Sequence, residues 1–406
     1  MRSLYISYDG LKEALVQSQV IPYLKGLSED GIIFTLLTFD KRGRTDEIKK
    51  IMLGLKNERI ECISLRYHKK PTLPATLYDI MQGVLVSTFL VMRNKVDVIH
   101  ARSYVAAAIA LVLKKLLKIK LIFDMRGIWP DEKVDANTWP RGGFLYKVTK
   151  AFEKRLLLNA DAIIVLTEKL KTIVEDFEYM KGHKVAIDVI PACVDVNKFK
   201  IAGKPQDLVE SLRLGNKTIF IYSGSLGTWY MLDEMVDFFK IAKAKIINAH
   251  FLFFTLFRKS VIDNLMFNKG VDKDEFSVIS APHEEMPRWL SIGDFSVFFI
   301  KPSFSKQGSI PIKLGESLAC GLPVIINSGI GDTAELVSRN GIGAVIDEFK
   351  AASYIKAVDE ILELQSSIGD LRLRCRKVAE DHLSLGIGQK KYRDIYQRLS
   401  ETKAVS

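Results

Sequence analysis

Two α/β domains in tandem, each a parallel sheet covered by helices on both faces, are what this 406-residue sequence predicts. Short runs rich in β-branched and aromatic residues alternate with helix-like patterns along most of the chain, the rhythm of a parallel sheet. That rhythm breaks once, between residues 190 and 218, where Pro191, Gly203, Pro205 and Gly215 fall together. The length suits two or three domains, and a hydrophobic content of 48% supplies two packed cores.

In the first half, strands are expected at residues 4–8, 33–38, 60–65, 96–100, 121–124, 162–166 and 185–190. The loop after the first strand, from Asp9-Gly10 to Gln17-Ser18-Gln19, stands where such folds bind phosphates, and Gly10 and Gln17 are its candidate binding residues. It lacks G-x-G-x-x-G, which argues against a dinucleotide. The segment Asp124-Met125-Arg126-Gly127-Ile128-Trp129-Pro130-Asp131 leaves a strand's carboxyl end carrying charge, a usual place for substrate contact. Its plainer reading is an Arg126–Asp131 salt bridge that fixes the loop.

The alternation restarts with strands expected at 218–222, 250–254, 276–279, 295–300, 324–326 and 344–346. Ser223-Gly224-Ser225 comes after the first of them, and its small residues let backbone N–H groups approach a ligand; a packing turn is the alternative. Residues 309–323 predict a helix capped by Ser309, with Pro311 in its first turn and Gly321 and Pro323 as its stop. Its N–H groups and Lys313 would face an anion arriving at the strand ends. Glu316 lies among Pro311, Leu314 and Leu318, placed either to accept a pair of sugar hydroxyls or to face solvent. Asp272-Lys273-Asp274 has D-x-D spacing in a hydrophilic turn and reads as a solvated loop. His283-Glu284-Glu285 reads as a helix start. Residues 388–406 form a last amphipathic helix through Tyr392, Ile395, Tyr396 and Leu399.

Composition narrows the function. Cys62, Cys193, Cys320 and Cys375 lack C-x-x-C spacing, so neither a zinc site nor a disulfide framework is expected, and a reducing compartment fits. No histidine pair has ligand spacing, and no Ser/His/Asp order or nucleophile elbow appears. The N-terminus reads as a strand, not a secretory signal, and the most apolar stretch, residues 80–92, is interrupted by Gln82, Gly83, Ser87 and Thr88. The net charge is +11, and residues 1–200 hold 33 Lys and Arg against 23 Asp and Glu, so nearly all the excess is there. No zinc finger, RNP-type strand or long basic run accompanies it, which argues against nucleic acid. An anionic membrane face, a phosphorylated acceptor or plain solubility remains, with residues 80–92 and 104–113 as apolar, cation-flanked candidates for docking or as core helices.

Ile190-Pro191-Ala192-Cys193-Val194-Asp195, Pro311-Ile312-Lys313-Leu314-Gly315-Glu316 and Cys320-Gly321-Leu322-Pro323-Val324 resemble glycosyltransferase family 4. Gln17-Ser18-Gln19-Val20, residues 98–103 and Asp124-Met125-Arg126-Gly127 are similar to its bacterial cell-surface polysaccharide members. The resemblance implies the GT-B fold: two Rossmann-like domains facing a cleft, with residues 1–195 binding the acceptor and 196–383 the nucleotide sugar. A final helix, 384–406, would cross back to the first domain. It implies sugar transfer from a nucleotide sugar, UDP- or GDP-linked, to an acceptor hydroxyl with retention, without a required metal or cofactor. The basic first half and the apolar, cation-flanked stretches add the expectation of a glycan or lipid-linked acceptor and of a cytoplasmic protein peripheral at the membrane. Glu316 would hold the ribose, and Ser309 and Ile310 the diphosphate. Gly308 stands where the family's first glutamate would be. The usual Arg and Lys after Gly224 are missing: Ser225 comes next, and no lysine appears before Lys240. Lys313 and Arg258 are then the cations left for the diphosphate, and Arg126 stands at the family's histidine, beside Asp131, as the catalytic candidate of the first domain. A nucleotide-sugar 2-epimerase and a non-catalytic nucleotide-sugar-binding subunit are the rival readings.

Overall fold

The computed structural model describes residues 1–41, 46–366 and 368–401, so the expected last helix is described only as far as Glu401. The chain forms two compact units, Met1–Pro191 with Leu385–Ser406, and Ala192–Ser384.

The first unit is built on seven strands: β1 (Arg2–Ser7), β2 (Ile33–Asp40), β3 (Ile60–Arg66), β4 (Val98–Arg102), β5 (Lys120–Asp124), β6 (Ala162–Val165) and β7 (Ala186–Val189). They pair in the order β3-β2-β1-β4-β5-β6-β7, every pairing parallel. Fully buried runs such as Leu4-Tyr5-Ile6 in β1 and Leu121-Ile122-Phe123 in β5 are what a sheet covered on both faces requires. The fourth strand begins at Val98, two residues later than its apolar run suggests. Lys95 is left-handed (φ 49°) and caps the preceding helix, and Val96 N donates to Val91 O, so the helix end consumes the start of the run.

The helix Leu385–Glu401 belongs to this unit and buries Tyr392, Ile395, Tyr396 and Leu399 against it, each worth roughly 1.5–3 kcal/mol before entropy is charged. It packs so closely on the helix Ile21–Glu29 that a Cβ on Gly26 would meet the Gln389 amide at 2.1 Å.

The second unit carries β8 (Thr218–Ser223), β9 (Ala249–Phe254), β10 (Phe276–Ile279), β11 (Phe295–Phe298), β12 (Val324–Asn327) and β13 (Gly343–Ile346). Their order is β10-β9-β8-β11-β12-β13, again all parallel. Phe220, Phe238, Phe239, Phe251, Phe253 and Phe295 fill its core.

The helix expected from Ser309 starts later. A 3-10 turn, Ser305–Gly308, is closed by Ser309 N donating to Lys306 O, and the α-helix is Ile312–Ala319 with Pro311 as its N-cap. Proline has no N–H and holds the residue before it extended, so the helical turn cannot reach back to Ser309. The D-x-D turn is structural: Asp272 and Glu275 form a capping box.

The two apolar segments differ. Residues 104–113 lie in the helix Ser103–Leu117, which is core: Tyr104, Ala106, Ala107, Ile109, Ala110, Leu111 and Leu113 are buried. Residues 80–92 lie in the helix Thr72–Asn94, long and apolar enough by length and composition to cross a membrane. It buries Gly83, Ser87, Leu90 and Val91 on one side and exposes Leu73, Leu77, Met81, Leu85 and Phe89 on the other.

Candidate active site

In the second unit, the carboxyl end of β8 turns at Gly224, whose φ of +121° is open to glycine and strained for other residues. A Cβ there would stand 3.0 Å from Lys313 Nζ. Lys313 sits in the first turn of the helix Ile312–Ala319, is buried, and its Nζ has no hydrogen-bond partner. The ammonium lies instead over the Tyr230 ring at 3.7 Å and the Tyr222 ring at 4.2 Å. Burial pulls its pKa down from 10.5 to about 7, against the opposing pull of the Glu316 charge. A lysine enclosed by aromatic rings, with no carboxylate in contact, can pair with an anion brought by a ligand.

Glu316 lies one helical turn further on and is 4% exposed, so it does not face solvent. His283 Nε2 donates to its Oε1 at 2.9 Å. The other oxygen keeps lone pairs for a hydroxyl donor. His283 stands in the 3-10 turn His283–Glu285 after β10, half exposed and against Phe199. Sequence reasoning took His283-Glu284-Glu285 for a helix start, and neither it nor Tyr222 and Tyr230 carried a motif that would reveal them as neighbours of the site.

Ser309 and Ile310 are half-buried between the 3-10 turn and the helix, and Gly308 is buried within the turn. Ser225 is exposed, and its carbonyl accepts from Tyr222 Oη at 2.7 Å, which ties the Gly224 turn to the lysine's enclosure. Arg258 is exposed at the N-cap of the helix Lys259–Asn268 and has no ion pair among the described residues; no contact brings it to Lys313.

In the first unit, the carboxyl ends of β4 and β5 hold a buried polar cluster. Asp124 lies 3.7 Å from Arg126 Nη1 and 3.6 Å from Arg102 Nη1, and accepts from Tyr392 Oη at 3.1 Å. Burial alone would raise its pKa, but Arg126, His100 and Arg102 outweigh that and hold it down at about 2. His100 accepts from Tyr396 Oη at 2.9 Å, and burial lowers its pKa. Arg126 has a φ of 60°, a conformation that costs a non-glycine residue about 1 kcal/mol or more and is commonest at functional sites.

The Arg126–Asp131 salt bridge, the plainer reading of this loop, does not form. Arg126 faces Asp124, while Asp131 accepts from Tyr146 Oη at 2.9 Å and from Lys150 Nζ at 3.0 Å. Lys150 also pairs with Glu153, so Asp131 belongs to a structural network on the helix Phe144–Asn159. The physical reason is the turn between them: the helix Trp129–Asp135 starts after Ile128 and carries Asp131 toward Tyr146. Gly10 packs so tightly that a Cβ would meet Asp40 Oδ1 at 2.6 Å, whereas the exposed Gln17 turns its amide back to Leu11 O at 2.6 Å. Among the described residues, no group of three His, Cys, Asp or Glu could hold a metal ion.

Known proteins resemble this chain in both halves. Residues 17–198 match the model described as Glycosyltransferase Family 4, and residues 204–382 the model described as Glycosyl transferases group 1. Among curated proteins none matches it in sequence. Three solved structures show the same fold at low identity. A glycosyltransferase from Rickettsia africae ESF-5 has 16% identity over 98% of both chains, with a TM-score of 0.74. Anabaena Alr3699/HepE in complex with UDP-glucose has 14% identity over all of both chains and a TM-score of 0.68. WaaG, a glycosyltransferase involved in lipopolysaccharide biosynthesis, has 14% identity over 97% of this chain and 99% of its own, with a TM-score of 0.68. Two all-parallel Rossmann-like units, matched one by one to both family models, make this chain a glycosyltransferase of family 4 with the GT-B fold.

Proposed function

We propose that the protein moves a sugar from a UDP-sugar to an acceptor hydroxyl with retention of configuration and without a metal, in the synthesis of a cell-surface glycan. The observation that carries the donor half is Lys313, a buried ammonium without hydrogen-bond partners beside Gly224, with Glu316 one turn away. Departure of the nucleoside diphosphate dominates glycosyl transfer, and a pre-placed cation stabilises the negative charge that grows on it. Lys313 would take that charge from the rings that now enclose it. Glu316, oriented by His283, would accept the ribose hydroxyls, which fixes the nucleotide and leaves the sugar toward the Gly224 turn. Binding of UDP-glucose by Anabaena HepE favours a uridine nucleotide.

In the first unit Arg126, anchored by Asp124, is the proposed catalytic group on the acceptor side, and Asp131 is a structural residue. The exposed row Leu73, Leu77, Met81, Leu85 and Phe89 recurs every four residues on one helix face, with Lys69 and Lys70 before the helix and Arg93 and Lys95 at its end. That pattern supports peripheral docking at the anionic cytoplasmic face of a membrane, where a lipid-linked acceptor would be presented.

Thermal unfolding with a panel of UDP- and GDP-sugars, then incubation with radiolabelled donor, tests the reading. The expected result is stabilisation by a UDP-sugar and slow hydrolysis or transfer from it. Conversion of the donor to its 2-epimer would replace the proposal, and the absence of stabilisation by every nucleotide would overturn it.

A further inference from the structure

The first unit contains a cavity at the end of the sheet opposite Gly10 and Arg126. Its volume is about 910 Å³, within the range of small-molecule sites. It is reached at the amino ends of β1, β2 and β3, where Arg2, Ile33 and Ile60 start their strands. Strands of six to eight residues separate it from the carboxyl-end loops by about 20 Å.

The lining is amphipathic in a particular way. Arg2, Lys49, Lys56, Arg59 and Arg93 surround it with five cations, and Glu61 is its one acid. Glu61 is already held, by Arg93 at 2.9 Å and by Asn94 Nδ2 at 3.0 Å. Lys56 and Arg59 are exposed and have no ion pair among the described residues. Between these cations the wall is apolar: Phe34, Ile60 and Cys62 are buried, while Leu53 is 66% and Ile33 44% exposed. Water-exposed leucine and isoleucine side chains inside a ring of cations match a ligand with an anionic head and a hydrocarbon body, and match neither a sugar nor a plain anion.

We infer that this cavity binds one molecule of an anionic phospholipid, its phosphate on Lys56 and Arg59 and the start of an acyl chain against Ile33, Met52 and Leu53. The site shares Arg93 with the basic end of the helix Thr72–Asn94 but none of that helix's exposed apolar row, and does not require it: a helix face adsorbs to a bilayer, whereas this cavity would take a single lipid from solution. Nor does it depend on the sugar-transfer reading, since none of its residues is in the proposed donor or acceptor machinery.

The test is calorimetric titration of the full chain with dihexanoyl phosphatidylglycerol below its micelle-forming concentration, with dihexanoyl phosphatidylcholine and inorganic phosphate as controls. Saturable binding of the phosphatidylglycerol is expected, at least tenfold tighter than either control. It should weaken tenfold or more both in the Lys56→Glu/Arg59→Glu double variant and in Leu53→Asp. All three positions are exposed, so both variants should keep the wild-type melting temperature, and stabilisation by UDP-sugar should be unchanged. Absence of binding, equal binding by both variants, or inorganic phosphate binding as tightly as the lipid would each overturn the inference.

Discussion

Replacing Lys313 by methionine should make the second unit more stable while removing its nucleotide affinity. The side chain is buried, and a pKa lowered from 10.5 to about 7 corresponds to roughly 5 kcal/mol against the charged form. The ring contacts with Tyr230 and Tyr222 return about 1–2 kcal/mol of it, leaving on the order of 3–4 kcal/mol that a methionine of similar length would recover. The pH dependence has a definite sign. Below about pH 7 both native and unfolded chains carry the ammonium, and the whole penalty is present. Between about 7 and 10.5 the unfolded state binds more protons than the native state, so wild-type stability gains on the variant as pH rises. Above 10.5 the difference is gone. For a unit of this size the gain amounts to a rise of roughly 6–15 °C in melting temperature. Calorimetric scans of wild type and Lys313→Met at pH 6, 8 and 10, with and without UDP, measure it. A variant no more stable than wild type at pH 6, or one whose advantage does not shrink by pH 10, would refute the picture of an unpartnered buried charge. A variant that binds UDP as wild type does would remove the lysine from the donor site.

Two further outcomes rest on named contacts. Glu316→Gln keeps the size of the side chain but weakens its hydrogen bond from His283 and any from ribose, so UDP affinity should fall about 10- to 100-fold, as for loss of a charged hydrogen bond of roughly 1.5–3 kcal/mol. Unchanged affinity in calorimetry would exclude the ribose role. Tyr392→Phe removes a hydroxyl donor from buried Asp124 and should lower the stability of the first unit by about 1.5–3 kcal/mol, read as its thermal transition; an unmoved transition would show that the C-terminal helix does not restrain the Asp124 cluster.

The second unit's helix Ile312–Ala319 shows how far local sequence reaches. Its existence and its stop at Gly321 and Pro323 could be read from residue types, whereas the inward position of Glu316 came only with the structure. Its first turn could not be placed, because Ser309 is a good cap by type and the proline two residues on decided otherwise. The central strands were legible for a similar reason: both their faces are covered, so Leu121-Ile122-Phe123 in β5 and Ile163-Ile164-Val165 in β6 appear as unbroken apolar runs. The same reasoning failed for Asp131, whose partner Lys150 comes from the next helix, nineteen residues away.

Pattern and composition determined that this chain makes two parallel α/β units, that its excess positive charge lies in the first, and that a short helix stopped by Gly321 and Pro323 lies late in the second. They did so because strand burial, helix capping and net charge depend on near neighbours. Only the tertiary structure decided that Lys313 is enclosed by Tyr222 and Tyr230, that His283 holds Glu316, and that Tyr392 and Tyr396 reach back to Asp124 and His100. Each of these joins residues from separate strands, loops or helices, and the free energy of burying a charge is set by whatever surrounds it in space.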